Sequence, residues 1–163
     1  PASAGRTTMC PTELGYDASL APSLRLLPIE TRLQLQGLAE WRVKPERWIE
    51  IPLDVNNADQ IAKALEKVAE VRKVTLDNAR ALGFWHDELA DENPVPDSEG
   101  LVEVPMWRHA IINIPHPLLK QGLVILDTPG LNAVGAEPEL TVNLIPQAHA
   151  VVFILRSDTG VTR

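Results

Sequence analysis

The longest regular pattern of apolar and polar positions in the chain runs from Ala58 to Leu82. Its apolar residues fall on one face of an α-helix, and its charged residues, which carry both signs, fall on the other face. Asn57 is a suitable N-cap with Gln60 three residues later, and Gly83 is a suitable stop. The pattern predicts one long helix over residues 58–82 that packs on a sheet or on a neighbouring element. The mixed signs of the polar face argue against a helix on a membrane surface.

Short apolar or alternating runs predict the strands. We expect strands at five places: Thr12–Asp17, Leu24–Glu30, Ala110–Ile114, Leu123–Leu126 and Ala150–Arg156. A turn around residues 18–23 joins the first two, which are candidates for neighbours in one sheet. A second helix is expected over residues 138–147. The order strand, loop, helix, strand in the last part of the chain is half of a doubly wound α/β unit.

The run from Gly122 to Gly130 (Gly-Leu-Val-Ile-Leu-Asp-Thr-Pro-Gly) has the clearest chemical implication. An apolar strand ends in Asp127, and a Pro-Gly turn follows at once. In nucleoside triphosphatases this arrangement places one carboxylate at a strand end, facing Mg²⁺, and leaves a glycine N–H for the terminal phosphate. Mg²⁺ prefers oxygen ligands and keeps several waters, so one carboxylate is enough to hold its water shell. The alternative is an ordinary turn in which Asp127 caps the loop.

A second candidate region precedes the strand that begins at Thr12. Residues 1–10 are mostly small and polar and include the pair Thr7 and Thr8. A threonine can offer its hydroxyl to Mg²⁺ and its backbone carbonyl to an attacking water. Threonine pairs are also common in ordinary turns, so this region acquires meaning only together with Asp127.

Composition and charge narrow the functional class. The chain has 163 residues, which fits one domain, and its formal net charge is −7 without a basic stripe. We therefore expect no nucleic-acid partner. The single cysteine, Cys10, excludes an internal disulfide and suits a reducing compartment. The first residues have no initiator methionine and no secretory signal, so we expect the chain to begin inside a longer protein.

The histidines do not predict a further site. His86, His109 and His116 lack the spacing of a familiar metal-ligand motif, and we expect them on the surface. His149, beside the start of a predicted strand, is expected to be structural. No Ser/His/Asp grouping has spacing that would favour nucleophilic catalysis.

Together, the two candidate regions resemble the dynamin superfamily of large GTPases, and bacterial dynamin-like proteins in particular. The family pattern Thr-x-x-x-Thr-x-Leu, in which a switch threonine opens a loop into a strand, matches residues 8–14. The family signature Asp-x-Pro-Gly after an apolar strand matches residues 127–130, and the apolar run at 150–155 fits the next core strand. The resemblance implies a partial P-loop GTPase fold: an α/β domain with a doubly wound, mostly parallel sheet, flanking helices and a helical insertion.

The resemblance also implies a division of roles. Thr8 coordinates Mg²⁺ and helps to place the attacking water, Asp127 holds the ion through a water, and the Gly130 N–H senses the γ-phosphate. Thr7 replaces Thr8 if the alignment shifts by one, and Arg6 is expected to be a solvated loop residue and not a catalytic arginine. The predicted site comprises the residues that contact GTP or Mg²⁺: Thr8, Asp127, Thr128, Pro129 and Gly130.

The resemblance further implies an arrangement along the chain. Residues 1–17 contain the switch I loop and its strand, and residues 122–135 contain a strand and switch II. Residues 18–110 are an insertion that includes the long helix, and residues 150–156 are a core strand. The sequence contains neither a Gly-x-x-x-x-Gly-Lys-Ser/Thr phosphate loop nor a guanine-reading Thr/Asn-Lys-x-Asp motif. In the family these motifs lie before and after the matching region, so we expect this chain alone to be inactive.

The activity implied for the whole protein is hydrolysis of GTP to GDP and phosphate with Mg²⁺. In the family this reaction is coupled to self-association through the GTPase domain and to membrane remodelling through lipid-contacting segments that this sequence lacks. The expected location is cytoplasmic, peripheral to the inner face of the membrane. Two alternatives stay open: another P-loop GTPase, translation-factor-like or septin-like, or a non-enzymatic interaction domain that keeps the scaffold without binding nucleotide.

Overall fold

The structure, a computed structural model, describes residues 10–88, 93–128, 135, 137 and 145–152. Short 3₁₀ turns lie at Ile29–Leu33, Pro45–Arg47 and Ile145–Gln147. The α/β class predicted from the sequence is confirmed. The strands and α-helices of the described ranges follow one another as β1 (Thr12–Gly15), β2 (Ser23–Pro28), α1 (Leu38–Arg42), β3 (Ile49–Pro52), α2 (Ala58–Val68), β4 (Val71–Val74), α3 (Leu76–Ala81), β5 (Val102–Pro105), β6 (Trp107–Asn113), α4 (Pro117–Lys120) and β7 (Ile125–Asp127).

Five strands form one mixed sheet in the order β3-β2-β6-β1-β7. Strand β1 runs parallel to β6, and the other three neighbouring pairs are antiparallel. Thr12, the first residue of β1, lies beside Ala110 of β6 on one side and beside Asp127 of β7 on the other. Strand β1 therefore connects the two regions in which the sequence predicts a site.

Strand β6 is the centre of the main core, and all of its residues are buried. Because side chains alternate between the two faces of a strand, Ala110 and Ile112 share one face and Ile111 lies on the other. Ala110 and Ile112 pack in one cluster with Ala64 of α2, whereas Ile111 packs in another with Trp41 of α1. Both faces of the sheet are thus covered, which explains why the middle of β6 is continuously apolar.

A second core lies on a separate two-stranded sheet formed by β4 and β5. Phe84 is 1% exposed and is the largest of its buried side chains. The backbone ties this unit to the main sheet, since the Ile29 N–H donates to the Met106 carbonyl at 3.0 Å and the Met106 N–H donates to the Glu70 carbonyl at 2.9 Å. The buried members of this core are Ile29, Val74, Ala79, Leu82, Phe84, Val102 and Val104.

The predicted helix over residues 58–82 is wrong in its middle. Helix α2 ends within this range, strand β4 follows, and helical structure resumes only in α3. Strand β4 pairs antiparallel with β5, with Val71 opposite Pro105 and Val74 opposite Val102. Valine and other β-branched residues favour strands. The pairing with β5 therefore outweighs the helical spacing of the apolar positions.

The predicted ends of that segment are correct. The Asn57 side chain accepts a hydrogen bond from the Gln60 N–H at 3.0 Å and caps α2. Gly83 follows α3 with a φ of +80°, in the left-handed region that favours glycine. The Thr75 side chain accepts a hydrogen bond from the Asn78 N–H and caps α3, which allows a second helix to start directly after β4.

The first two predicted strands are confirmed as β1 and β2, but they are not neighbours, because β6 lies between them. Asn113, at the end of β6, is buried and pairs with the connection between β1 and β2. Its Oδ1 accepts from the Asp17 N–H at 2.7 Å, and its Nδ2 donates to the carbonyls of Asp17, Leu20 and Ala21 at 3.2 to 3.3 Å. Such long-range pairing leaves no local pattern in the sequence.

The late elements agree with the sequence in part. The strands predicted at Ala110–Ile114 and Leu123–Leu126 are confirmed as β6 and β7. The apolar run predicts a buried β7, yet Ile125 is 47% exposed, because among the described strands only β1 pairs with it. Of the helix predicted over residues 138–147, the structure describes only a 3₁₀ turn at Ile145–Gln147. Residues 150–152 are described without strand structure, and the rest of the strand predicted there lies outside the described residues.

None of the helices in the described ranges combines the length and the apolar character that crossing a bilayer requires.

Candidate functional site

Asp127 is the last residue of β7, and its side chain is exposed. The antiparallel pairing with β1 places Asp127 opposite Thr12 and Ile125 opposite Leu14. An exposed carboxylate at a strand end is a hard oxygen donor of the kind that Mg²⁺ prefers. The described side chains include no cluster of three or more His, Cys, Asp or Glu residues that could hold a metal without further ligands. A single carboxylate suits Mg²⁺, because this ion usually keeps several waters and is bound through one or two carboxylates together with substrate phosphates.

Thr128 follows Asp127 and is half-buried. The other predicted site residues, Thr8, Pro129 and Gly130, lie outside the described residues, as do Thr7 and Arg6. The structure brings the strand that follows Thr8 next to the strand that ends in Asp127. The roles assigned to these residues stay predictions.

Hydrogen bonds hold the residues at the start of β1 in place. The Thr12 Oγ1 donates a hydrogen bond to the Cys10 carbonyl at 3.1 Å, and the Ala110 N–H donates to the Pro11 carbonyl at 2.9 Å. Cys10 is 2% exposed and packs in the main core. Burial raises the pKa of the Cys10 thiol to about 12, so the thiol stays protonated and unreactive at neutral pH. Cys10, two residues after the predicted switch threonine, is thus anchored in the core.

Glu13, next to Thr12 on β1, belongs to a charged network that joins three elements. Both nitrogens of the Arg42 guanidinium fork donate to its carboxylate, Nη1 to Oε1 at 3.2 Å and Nη2 to Oε2. His109 Nε2 of β6 lies 3.8 Å from Oε2. Burial acts to raise the Glu13 pKa, but the nearby His109 side chain and the hydrogen-bonded Arg42 guanidinium outweigh burial and lower this pKa to about 2. The network ties β1 to both α1 and β6.

The prediction that His109 lies on the surface is wrong. His109 is 2% exposed, and its ring meets the Trp48 ring edge-on at a centroid distance of 6.0 Å. The reason is the position of His109 in β6, which is covered on both faces. His86 and His116 are exposed, as predicted.

Sequence reasoning missed a buried ionic cluster of Arg32, Arg108 and Glu137. Arg108 is 5% exposed and Glu137 is 4% exposed. Arg108 lies within β6 (Trp107–Asn113), whereas the strand predicted from the sequence begins at Ala110 and leaves Arg108 outside it. A charge in a buried strand requires a buried partner, but the sequence alone does not say which acidic residue supplies it.

Comparison with known proteins identifies the family. The sequence model of the dynamin family matches residues 1–163, which is the whole chain. The chain belongs to the dynamin family. The resemblance stated from the two motifs is confirmed, and the chain is a part of a dynamin-type GTPase domain.

A relative supports the same assignment. A bacterial dynamin-like protein from Nostoc punctiforme is 35% identical over 54 residues, which cover 33% of this dynamin-family chain and 8% of that relative. The matched part is thus a small fraction of the relative's own length. No solved structure gives a significant match to the chain.

Proposed function

We propose that the protein containing this chain binds GTP with Mg²⁺ and hydrolyses it to GDP and phosphate, and that this chain supplies switch I and switch II. One observation carries the proposal: in a chain matched over its whole length by the dynamin family, Thr12 of the strand after switch I lies opposite Asp127 of the strand before switch II. This pairing supports a shared site at one end of the β1–β7 pair.

Distance supports the convergence of Thr8 with Asp127. Opposed Cα atoms in an antiparallel pair are about 4.5 to 5.5 Å apart. Thr8 precedes Thr12 by four residues, and an extended chain of that length spans at most about 14 Å. The hydroxyl of Thr8 is therefore within chain reach of the end of β7.

The chemistry of the proposed site is mainly positioning and charge neutralisation. Mg²⁺, when bound, neutralises charge on the β- and γ-phosphates. Asp127 would hold the ion through a water, the Thr8 hydroxyl would be a further oxygen ligand, and the Thr8 carbonyl would accept a hydrogen bond from the attacking water. The Gly130 N–H would donate to a γ-phosphate oxygen, and Thr128 and Pro129 belong to the same motif at the nucleotide.

The wider role of the protein is part of the same proposal. GTP turnover is coupled to self-association through the GTPase domain and to membrane remodelling through lipid-contacting parts of the protein outside this chain. Its location is the cytoplasm, at the inner face of a membrane. The dynamin-family match over residues 1–163 favours this assignment over a translation-factor-like or septin-like GTPase. A scaffold that binds no nucleotide is the alternative that experiment must exclude.

The test uses the full-length protein and steady-state GTP hydrolysis. Asp127→Asn and Thr8→Ala are each expected to lower kcat by about 100-fold or more, because each removes an interaction made to the developing charge. The matched controls are Asp59→Asn, an exposed aspartate of α2, and Thr7→Ala, and both are expected to keep wild-type kcat. If Thr7→Ala loses activity and Thr8→Ala does not, the switch threonine is Thr7 and not Thr8. Absence of GTP binding in the wild-type protein would favour the scaffold.

A further inference from the structure

Arg32, Arg108 and Glu137 form a buried cluster of ion pairs, here called the Glu137 cluster, in which both arginines contact the same carboxylate. Arg108 Nε donates to Glu137 Oε2 at 3.1 Å, and Arg108 Nη2 donates to Oε1 at 3.2 Å. This two-pronged pairing is the strong form of a guanidinium–carboxylate contact. Arg32 Nε lies 3.2 Å from the same Oε2. One carboxylate from beyond β7 thus joins two cations from the inserted segment, residues 18–110.

Both arginines are also held by carbonyl groups of the inserted segment. Arg108 Nη1 lies 3.2 Å from the Thr31 carbonyl oxygen and 3.3 Å from the Gln36 carbonyl oxygen, and it donates to both. Arg32 Nη1 donates to the Leu82 carbonyl at 3.1 Å. These bonds orient the two guanidinium groups independently of Glu137. The inserted segment therefore holds two guanidinium groups in position to bind one carboxylate.

Gly135 also contacts Arg32, one of the two arginines that bind Glu137. Its carbonyl accepts a hydrogen bond from Arg32 Nη2 at 2.8 Å, and the Arg32 guanidinium lies 4.5 Å from the centre of the Phe84 ring. A Cβ on Gly135 would come within 2.1 Å of that ring. The backbone at Gly135 thus lies directly against Phe84, and the chain is held at Gly135, the last residue of the switch II region, and at Glu137 just after it.

We propose that Glu137 is a positioning residue for switch II, a role that rests on the proposed GTP hydrolysis. At one end, Asp127 is fixed by the pairing of β7 with β1. At the other end, Glu137 is fixed by Arg108 of β6 and by Arg32. Both ends of switch II are thereby attached to the five-stranded sheet, one through β7 and the other through Arg108 of β6. The inserted segment acquires a function, which is to hold the distal end of switch II in the geometry that catalysis needs.

The expected size of the effect follows from the sensitivity of catalysis to position. A displacement of about 1 Å in a group that contacts the reacting atoms can cost about 100-fold in rate. Glu137 itself touches neither nucleotide nor metal in this proposal. Its loss should therefore lower kcat and leave the affinity for GDP unchanged, because GDP has no γ-phosphate for switch II to contact.

The main experiment compares variants of the full-length protein in GTP hydrolysis, in GDP binding and in thermal unfolding. Glu137→Gln removes the charge, and Arg108→Lys keeps the charge but loses the two-pronged geometry. Each is expected to lower kcat by about 10- to 100-fold, with KM for GTP and Kd for GDP within about twofold of wild type. The double variant should lose no more than the worse single variant, because both act through one contact. The matched control is Glu99→Gln, an exposed glutamate, which should keep wild-type kcat.

Several results would overturn the proposal. Wild-type kcat in Glu137→Gln would do so, as would a rise in KM with kcat unchanged. A loss of GDP affinity in parallel with kcat would indicate a general structural role. If wild-type protein neither binds nor hydrolyses GTP, the proposed function fails and this inference fails with it. If wild type hydrolyses GTP and Glu137→Gln does so equally well, only the inference fails.

A measurement on the wild-type protein covers the case in which the variants do not fold. Amide hydrogen exchange is compared between the GDP-bound state and a state with a non-hydrolysable GTP analogue. Residues 29–36 and residues 135–137 should change their protection together, whereas the amides of α2 should not change. A change confined to switch II, with residues 29–36 unaffected, would contradict the proposed coupling of switch II to Arg32 and Arg108 through Glu137.

Discussion

Thr12 and Asp127 are cross-strand partners at the end of the antiparallel β1–β7 pair. Thr12 also has a fixed neighbour on its other side, since it lies beside Ala110 of β6 in the parallel pair. The two candidate motifs, far apart in the sequence, therefore meet through one short strand. This pairing is what the proposed nucleotide site, with switch I before β1 and switch II after β7, rests on.

The isolated chain is expected to show no saturable binding of GTP below millimolar concentration. Its sequence contains no phosphate loop, so the lysine and most of the N–H groups that cradle the β- and γ-phosphates are missing. Titration with a fluorescent GTP analogue measures this directly, with the full-length protein as the control that binds. Micromolar binding by residues 1–163 alone would contradict the assignment of switch I and switch II.

Glu13 should make the chain sensitive to acid. Its pKa in the folded state is about 2, below the ordinary value of 4.5. A lowered folded-state pKa means that the contribution to stability is present above about pH 4.5 and is lost as the pH falls towards 2. We expect about 1 to 2 kcal/mol, less than the pKa difference alone would give, because solvent partly screens the pairing with Arg42.

The measurement for Glu13 is urea unfolding of Glu13→Gln and wild type between pH 7 and pH 2. The free energy of unfolding of the two proteins should differ at pH 7 and converge towards pH 2. Glu50→Gln, on the exposed β3, is the control and should follow wild type at every pH. A constant difference between Glu13→Gln and wild type across the whole range would show that the loss is one of packing and not of charge.

Asn113 is predicted to be necessary for the connection between β1 and β2. Asn113→Ala leaves the Asp17 N–H and three backbone carbonyls without their side-chain partner. Asp17, Leu20 and Ala21 are exposed residues, so water can reach part of the freed groups, and we expect a loss of about 1 to 2 kcal/mol in the free energy of unfolding. Asn56→Ala changes an exposed asparagine and should cost little. Similar losses for both variants in urea unfolding would show that the turn does not need this amide.

The sequence predicts local features of this fold well and long-range ones poorly. The cap at Asn57, the stop at Gly83 and the end of β7 at Asp127 follow from local residue chemistry, and the structure has all three. The helix over residues 58–82 fails because its apolar spacing suits a helix, whereas Val71–Val74 pairs with a strand far along the chain. Local periodicity cannot reveal such a partner.

The same distinction applies to the candidate site. Asp127 is recognisable because the strand and the Pro-Gly turn flank it in the sequence. The ion pairs of Glu137 cannot be recognised from neighbouring residues in the sequence, since its partners Arg32 and Arg108 come from different elements. The strand predicted at Ala110–Ile114 does not even include Arg108, which the structure places inside β6 (Trp107–Asn113).

Gly135 gives the sharpest test of the contact between the end of switch II and the second core. Its φ is +86°, and a Cβ there would lie 2.1 Å from the Phe84 ring. Gly135→Ala therefore adds steric overlap to the cost of a left-handed backbone, and we expect a loss of about 2 to 4 kcal/mol in the free energy of unfolding.

Gly100→Ala is the matched control for this prediction. Gly100 has a similar φ of +75°, but a Cβ added there would meet no atom within 4 Å. It should therefore show the backbone cost alone, about 1 kcal/mol. Urea unfolding of both variants measures the difference, which reports the contact with Phe84 separately from the backbone strain. Equal losses would mean that Gly135 does not press against Phe84, and the second anchor of switch II would then rest on Glu137 alone.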